Sequence, residues 1–139
     1  TNFFWRNMID YTDEEFMYIT KTVMKVLDTW NLTTEQTVAV LGLSKNTRKR
    51  ELDKYRTLKA FPKNETIIKR LSHIVGISDA LRTTFPRNVN MSEKWMKSQH
   101  RRFDNETPLN VILEEGINGL CKVRSELDCT FAWNASSRN

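Results

Sequence analysis

The chain has 139 residues, 39% of them apolar, with four Gly, three Pro and a net charge of +5. That apolar share, spread along the whole length, excludes wholesale disorder, and the scarcity of Gly and Pro argues against a turn-rich all-β fold. No apolar run approaches the roughly 18 residues that a membrane-spanning helix needs, so no membrane partner is expected.

Taken in chain order, every strong periodicity is helical. Thr12 and Glu15 have the spacing of a capping box. Phe16, Ile19, Val23, Val26, Leu27 and Trp30 then recur at three- and four-residue steps and mark one buried stripe, which Asn31 closes. Thr33 and Gln36 form a second box at the head of a short helix ending at Leu41. Gly42 tolerates the left-handed conformation that breaks it. Ser44 is expected to cap a third helix running to about Leu58, with Pro62 ending the section. The spacing of Ile67, Ile68, Leu71, Ile74, Val75 and Leu81 predicts a long helix over Asn64–Arg82, stopped by Phe85-Pro86.

Asn90 or Ser92 restarts a helix carrying Trp95 and Met96, which fades near Arg102. Phe103 to Glu106 reads as a polar turn. Thr107 is a good N-cap, and Pro108 fits the first helical position, where its missing N–H costs nothing. Leu109, Ile112 and Leu113 follow, Gly116 interrupts, and a last helix carries Leu120, Val123 and Leu127. The Asn- and Ser-rich tail from Trp133 is expected to fray. The reading is an all-α fold, a helix-turn-helix followed by a small helical bundle. Its expected parts are a DNA-binding region over 1–60, a bundle over 61–132 and a flexible tail over 133–139.

The charge is local. Between Ser44 and Ala60 lie seven of the 22 basic residues and two of the 17 acidic ones, so that segment carries +5 while 15 basic residues balance 15 acidic ones elsewhere. A concentrated cationic segment suits a phosphate-binding surface, although a solvated helix face has the same composition. The run from Thr34 to Arg50 has the order of a helix-turn-helix: a short helix, a Gly turn and a capped basic helix. Ser44, Lys45, Asn46, Thr47, Lys49 and Arg50 are the candidates for base-edge or phosphate contact, with Lys54 and Arg56 reaching the backbone further along. Val38 stands where such motifs usually carry Ala, and Arg48 where an apolar residue is common, its stem free to pack while the guanidinium reaches water. A degenerate motif kept for packing alone therefore stays open.

Nothing in the sequence has the form of an active site. His73 and His100 have no second ligand at metal spacing, Glu114 and Glu115 are adjacent and so point to different sides of a helix, and there is no phosphate-cradling Gly loop. No cofactor or metal is expected. Cys121 and Cys129 lack the CxxC spacing of a zinc site and read as reduced thiols. The first ten residues lack the pattern of a secretion signal, so the expected compartment is the cytoplasm. The Asn-x-Ser/Thr triplets at Asn31, Asn64, Asn90, Asn105 and Asn134 then read as cap and turn chemistry rather than glycan sites.

The block from Trp95 through Phe103 to Thr107-Pro108-Leu109, then Ile112-Leu113, Gly116 and Leu120-Cys-Lys-Val-Arg-Ser-Glu-Leu-Asp128, resembles the toxin-binding domain of the Xre/MbcA/ParS antitoxin family. Ser44, Thr47, Arg50 and Leu52 are similar to that family's second helix, and the likeness covers roughly residues 33–130. In place of the usual Gly-containing turn near Phe103 stands Asp104-Asn105-Glu106. The resemblance implies an antitoxin with no catalysis of its own. One region binds operator DNA as a homodimer and represses the operon. The other covers the active site of a toxin encoded next to it, a RES-type enzyme that consumes NAD or transfers ADP-ribose. It implies toxin-facing roles for Trp95, Phe103, Pro108, Leu109, Gly116 and Arg124, for which helix starting, helix breaking and core packing are the simpler readings.

Residues 104–128 hold six acids against Lys122 and Arg124. Opposite patches on one small chain fit two different partners, although a helix surface with ordinary charges accounts equally well for the acidic part. Two-fold symmetric half-sites call for a dimer, and Trp30, Met17, Tyr18 and Met24 are a candidate dimer surface, with core packing as the alternative. Two other functions fit the residues: a stand-alone helix-turn-helix transcription regulator, and an interaction module whose motif no longer touches DNA.

Overall fold

The structure, a computed structural model, describes residues 8–137, with side chains through Cys129. Its described residues form seven α-helices and no strand: α1 (Asp13–Thr29), α2 (Thr34–Leu41), α3 (Lys49–Thr57), α4 (Glu65–Thr84), α5 (Val89–Lys97), α6 (Pro108–Glu115) and α7 (Ile117–Ser137). A short 3₁₀ turn, Arg101–Phe103, lies between α5 and α6. The all-α expectation holds. No helix among the described residues is long and apolar enough to cross a membrane. Two compact units meet between Ile74 and Val75, inside α4.

In the first unit both capping boxes form. Thr12 Oγ1 accepts from the Glu15 N–H at 3.1 Å, and the Glu15 carboxylate accepts from the Thr12 N–H at 2.9 Å. Thr33 and Gln36 repeat the exchange at 3.2 and 2.9 Å. Asn31 ends α1 and Gly42 ends α2 in the left-handed region, at φ 56° and 74°. Phe16, Ile19, Val23 and Leu27 of α1 are buried, as are Leu52 and Tyr55 of α3, and the two helices pack together. The connection after α3 is held by Thr20, whose hydroxyl donates to the Phe16 carbonyl at 2.9 Å and accepts from the Phe61 N–H at 3.1 Å.

Two expectations are corrected here. Ser44 does not cap α3. Its hydroxyl accepts from the Asn46 N–H at 3.3 Å and its carbonyl from the Thr47 N–H at 2.9 Å, closing a turn instead. The helix starts five residues later, at Lys49, with Arg48 in the cap position and no side-chain cap. Serine side chains offer the backbone such a local alternative to a helix start. Of the candidate dimer residues, Met24 and Trp30 are buried, because they continue the apolar stripe of α1, and Met17 is half-buried; Tyr18 alone is exposed.

In the second unit, Ile77 and Leu81 of α4 are buried, and the helix ends before Phe85 as the Phe-Pro pair predicts. The next helix begins earlier than expected. Asn88 caps α5 by accepting from the Met91 N–H at 3.2 Å, so neither Asn90 nor Ser92 restarts the chain. The polar turn bends through left-handed Asp104 and Asn105, at φ 54° and 67°, and is tied by an antiparallel bridge between His100 and Glu106. Thr107 caps α6, accepting from the Asn110 N–H at 3.0 Å, with Pro108 at the start. Gly116 reverses the chain at φ 61°, ψ −128°, and α7 packs back on α6. The hairpin closes where α7 has no side chain: a Cβ at Gly119 would lie 2.3 Å from the Val111 carbonyl oxygen.

Candidate functional site

The residues named for nucleic-acid contact fall on the 42–48 loop and the first turns of α3. Ser44, Lys45 and Asn46 are exposed loop residues and Thr47 is half-buried; Lys49 and Arg50 are exposed on the first turn of the helix, and Lys54 is half-buried beyond them. They do not share one helix face, because α3 starts at Lys49.

Ion pairing divides the seven cations. Arg56 carries the strongest set, donating to Asp28 at 2.7 and 3.1 Å and to Asp53 at 2.6 Å. The Asp28 hydrogen bonds hold its guanidinium pKa above the ordinary value and tie α3 to α1. Lys49 pairs with Asp53 at 3.7 Å and Lys54 with Glu51 at 3.9 Å. Lys59 also binds Glu51, and that hydrogen bond lowers the carboxylate pKa and raises the lysine's. Lys45, Arg48 and Arg50 are exposed and have no acidic partner among the described residues. Arg48, absent from the predicted contacts, thus belongs to the free cationic set, whereas Arg56 belongs to the scaffold.

A groove of about 470 Å³ opens beside these cations, lined by Asn46, Arg48, Arg50, Glu51 and Tyr55 among others. Tyr55 is the buried aromatic residue of its lining. Its ring leans on Phe61 with centroids 4.9 Å apart, and burial raises its hydroxyl pKa. The sequence marks Tyr55 only as an aromatic among charges, a pattern that a core residue also produces.

The residues named for a protein partner separate into two groups. Trp95 and Phe103 come together edge to face, centroids 6.3 Å apart, and both rings meet His100, at 4.8 and 6.2 Å. One His100 nitrogen lies 2.9 Å from the Trp95 carbonyl oxygen, so it carries the proton. Pro108 is buried at the head of α6, Leu109 is half-buried, and Gly116 forms the turn. Arg124 is 8% exposed and lies over Gly76, whose missing Cβ leaves room for the guanidinium.

Phe103 also borders an open groove of about 490 Å³ along α7, with Arg102, Asp104, Lys122, Cys121 and Cys129 on its walls. Its charges are partly matched internally, Arg102 with Glu126 at 3.2 Å and Lys122 with Glu115 at 2.5 Å. His100 and this groove went unmarked in the sequence, where His100 has only neighbouring arginines to signal it. Among the described residues, no three His, Cys, Asp or Glu side chains gather into a set that could hold a metal ion. The chain matches no protein-family model, no curated protein and no solved structure.

Proposed function

We propose that this chain is an antitoxin: it binds its operator DNA through residues 44–50 and masks a neighbouring toxin enzyme through its C-terminal helices. The observation that carries the nucleic-acid half is the trio Lys45, Arg48 and Arg50, three exposed cations within six residues of chain with no carboxylate among the described residues taking up their charge. Unpaired surface cations release bound counterions from a phosphate backbone at little cost, whereas lysines already paired must first break a contact. The toxin half rests on the resemblance of the Trp95–Asp128 block to the toxin-binding domain of the Xre/MbcA/ParS antitoxins. The edge-to-face Trp95–Phe103 pair and the groove beside Phe103 supply a partly apolar surface of the kind that partners use.

Two measurements test this reading. Co-expression with the product of the adjacent reading frame gives a stable complex and removes that protein's toxicity; a harmless neighbour, or no complex, defeats the antitoxin assignment. Reversing the trio, Lys45→Glu with Arg48→Glu and Arg50→Glu, abolishes the operator gel shift and leaves toxin neutralisation intact. A shift that survives places the DNA interface elsewhere.

A second reading, an interaction module that no longer touches DNA, is favoured by the seven-residue connection between α2 and α3, which is looser than a tight helix-turn-helix turn, and by the four basic residues held in ion pairs. Under that reading wild-type protein gives no operator shift at low salt, while the complex with the neighbouring protein still forms.

A further inference from the structure

Within the groove beside α3, one polar side chain lacks a partner. Tyr55 is 4% exposed, yet among the described residues its hydroxyl is in no hydrogen bond. Tyrosines this deeply buried usually satisfy the O–H internally. Here the hydroxyl is not sealed in, since it is absent from the fully enclosed unpaired atoms, and Tyr55 lines the groove. A phenol is protonated at neutral pH, and burial raises its pKa further, so it can donate. The rim carries Arg48 and Arg50, neither of which has an acid of its own. The same rim is the start of a nine-residue helix with no side-chain cap, where the Glu51 N–H donates to the Arg48 carbonyl and the Lys49 and Arg50 N–H groups have no backbone acceptor among the described residues. Glu51, also on the wall, is held by Lys54 and Lys59, which offset its charge.

We propose that this groove seats a single phosphate group, with the Arg48 and Arg50 guanidiniums and the Tyr55 hydroxyl donating to its oxygens. A planar guanidinium suits a phosphate edge, and the phenol O–H adds a further donor to a charged acceptor. The phosphate can come from a nucleic-acid backbone or be free in solution. Only the first source rests on the DNA-binding reading above.

The test uses the full chain and two probes, inorganic phosphate and a labelled 20-base-pair duplex. Phosphate titration shifts the amide resonances of residues 44–50. Tyr55→Phe keeps the ring stack on Phe61, and the unchanged melting temperature verifies that the fold is kept. It weakens binding of a phosphate-bearing probe about ten- to a hundredfold, the usual effect of losing one donor to a charged acceptor. It leaves the salt dependence of duplex binding unchanged, whereas the double variant Arg48→Gln with Arg50→Gln reduces that slope by about 0.9.

The outcomes separate cleanly. If Tyr55→Phe weakens both probes, the groove holds a backbone phosphate. If it weakens inorganic phosphate and the duplex does not bind at all, the groove is a site for free phosphate and the nucleic-acid reading fails. The proposal is overturned if Tyr55→Phe binds both probes like wild type, even where the arginine variants lose the duplex. It is overturned equally if wild-type protein binds neither probe.

Discussion

Thr20 is a polar residue at 0% exposure, and its hydroxyl bridges two backbone groups 45 residues apart in the chain, Phe16 and Phe61. In a helix interior a threonine that bonds back to the carbonyl four residues earlier is near neutral for stability. Its value here lies in the second bond, because the Phe61 N–H has no ladder or helix to join. Thr20→Val preserves shape and removes the acceptor. A buried donor left unmatched costs about 1–3 kcal/mol, so urea denaturation should show that loss, and Thr20→Ser should recover most of it. Equal stability for the valine variant and wild type would mean that water reaches the Phe61 N–H. Arg124 has the same character. The family resemblance implies a partner-facing role for it beside the simpler packing reading, and the structure lays it over Gly76, 8% exposed.

The individual elements owe their limits to short-range chemistry. Thr12, Thr33, Asn88 and Thr107 each accept from a backbone N–H three residues on, satisfying donors that helix starts leave open. Gly42 and Gly116 end helices because left-handed backbone is nearly free of strain only for glycine. The α6–α7 hairpin adds one requirement that no cap provides, which is close approach. At Gly119 an added Cβ would meet the Val111 carbonyl oxygen at 2.3 Å and the Ile112 Cα at 2.8 Å, and backbone atoms cannot swing aside. Gly119→Ala therefore forces the hairpin open. Thermal unfolding should report a loss of about 1–3 kcal/mol or more, despite the better helix propensity of alanine. Asn118→Ala, one residue away and exposed, is the control. A stabilised Gly119→Ala variant would show that propensity outweighs the clash.

For the whole molecule, the apparent charge of the 44–60 segment overstates the cationic charge left unpaired. Seven cations lie there, but Lys49, Lys54, Arg56 and Lys59 are already paired. If only Lys45, Arg48 and Arg50 contact phosphates, with Arg48 and Arg50 sharing one, the logarithm of duplex affinity should fall with the logarithm of salt with a slope near −1.8 per chain, at about 0.9 per phosphate. All seven cations, with that pair still sharing, would give about −5.4 on the same scaling. A salt titration of duplex binding distinguishes the two. A slope near the larger value would mean that the ion pairs open on binding and that the free trio is not the interface.

These scales differ in how legible they are from the sequence. The helix order, two capping boxes, the Asn31 and Gly42 stops, the Thr107-Pro108 start and the buried stripes of α1 and α4 were all readable, because each depends on residues within four positions of one another or on a period of 3.6. The start of α3 was not, since Ser44 had two local bonding choices of similar strength and took the turn. Nor could spacing tell that Arg56 would find Asp28, 28 residues earlier, while Arg48 and Arg50 would find no acid among the described residues. Met24, Tyr55 and Arg124 share that reason: burial depends on which distant surfaces meet, and so does the set of charges left for a partner. The sequence alone thus determined where the chain becomes helical. The tertiary structure decided which of its cations remain unpaired and which groove they border, because that depends on long-range pairing, which local periodicity does not encode.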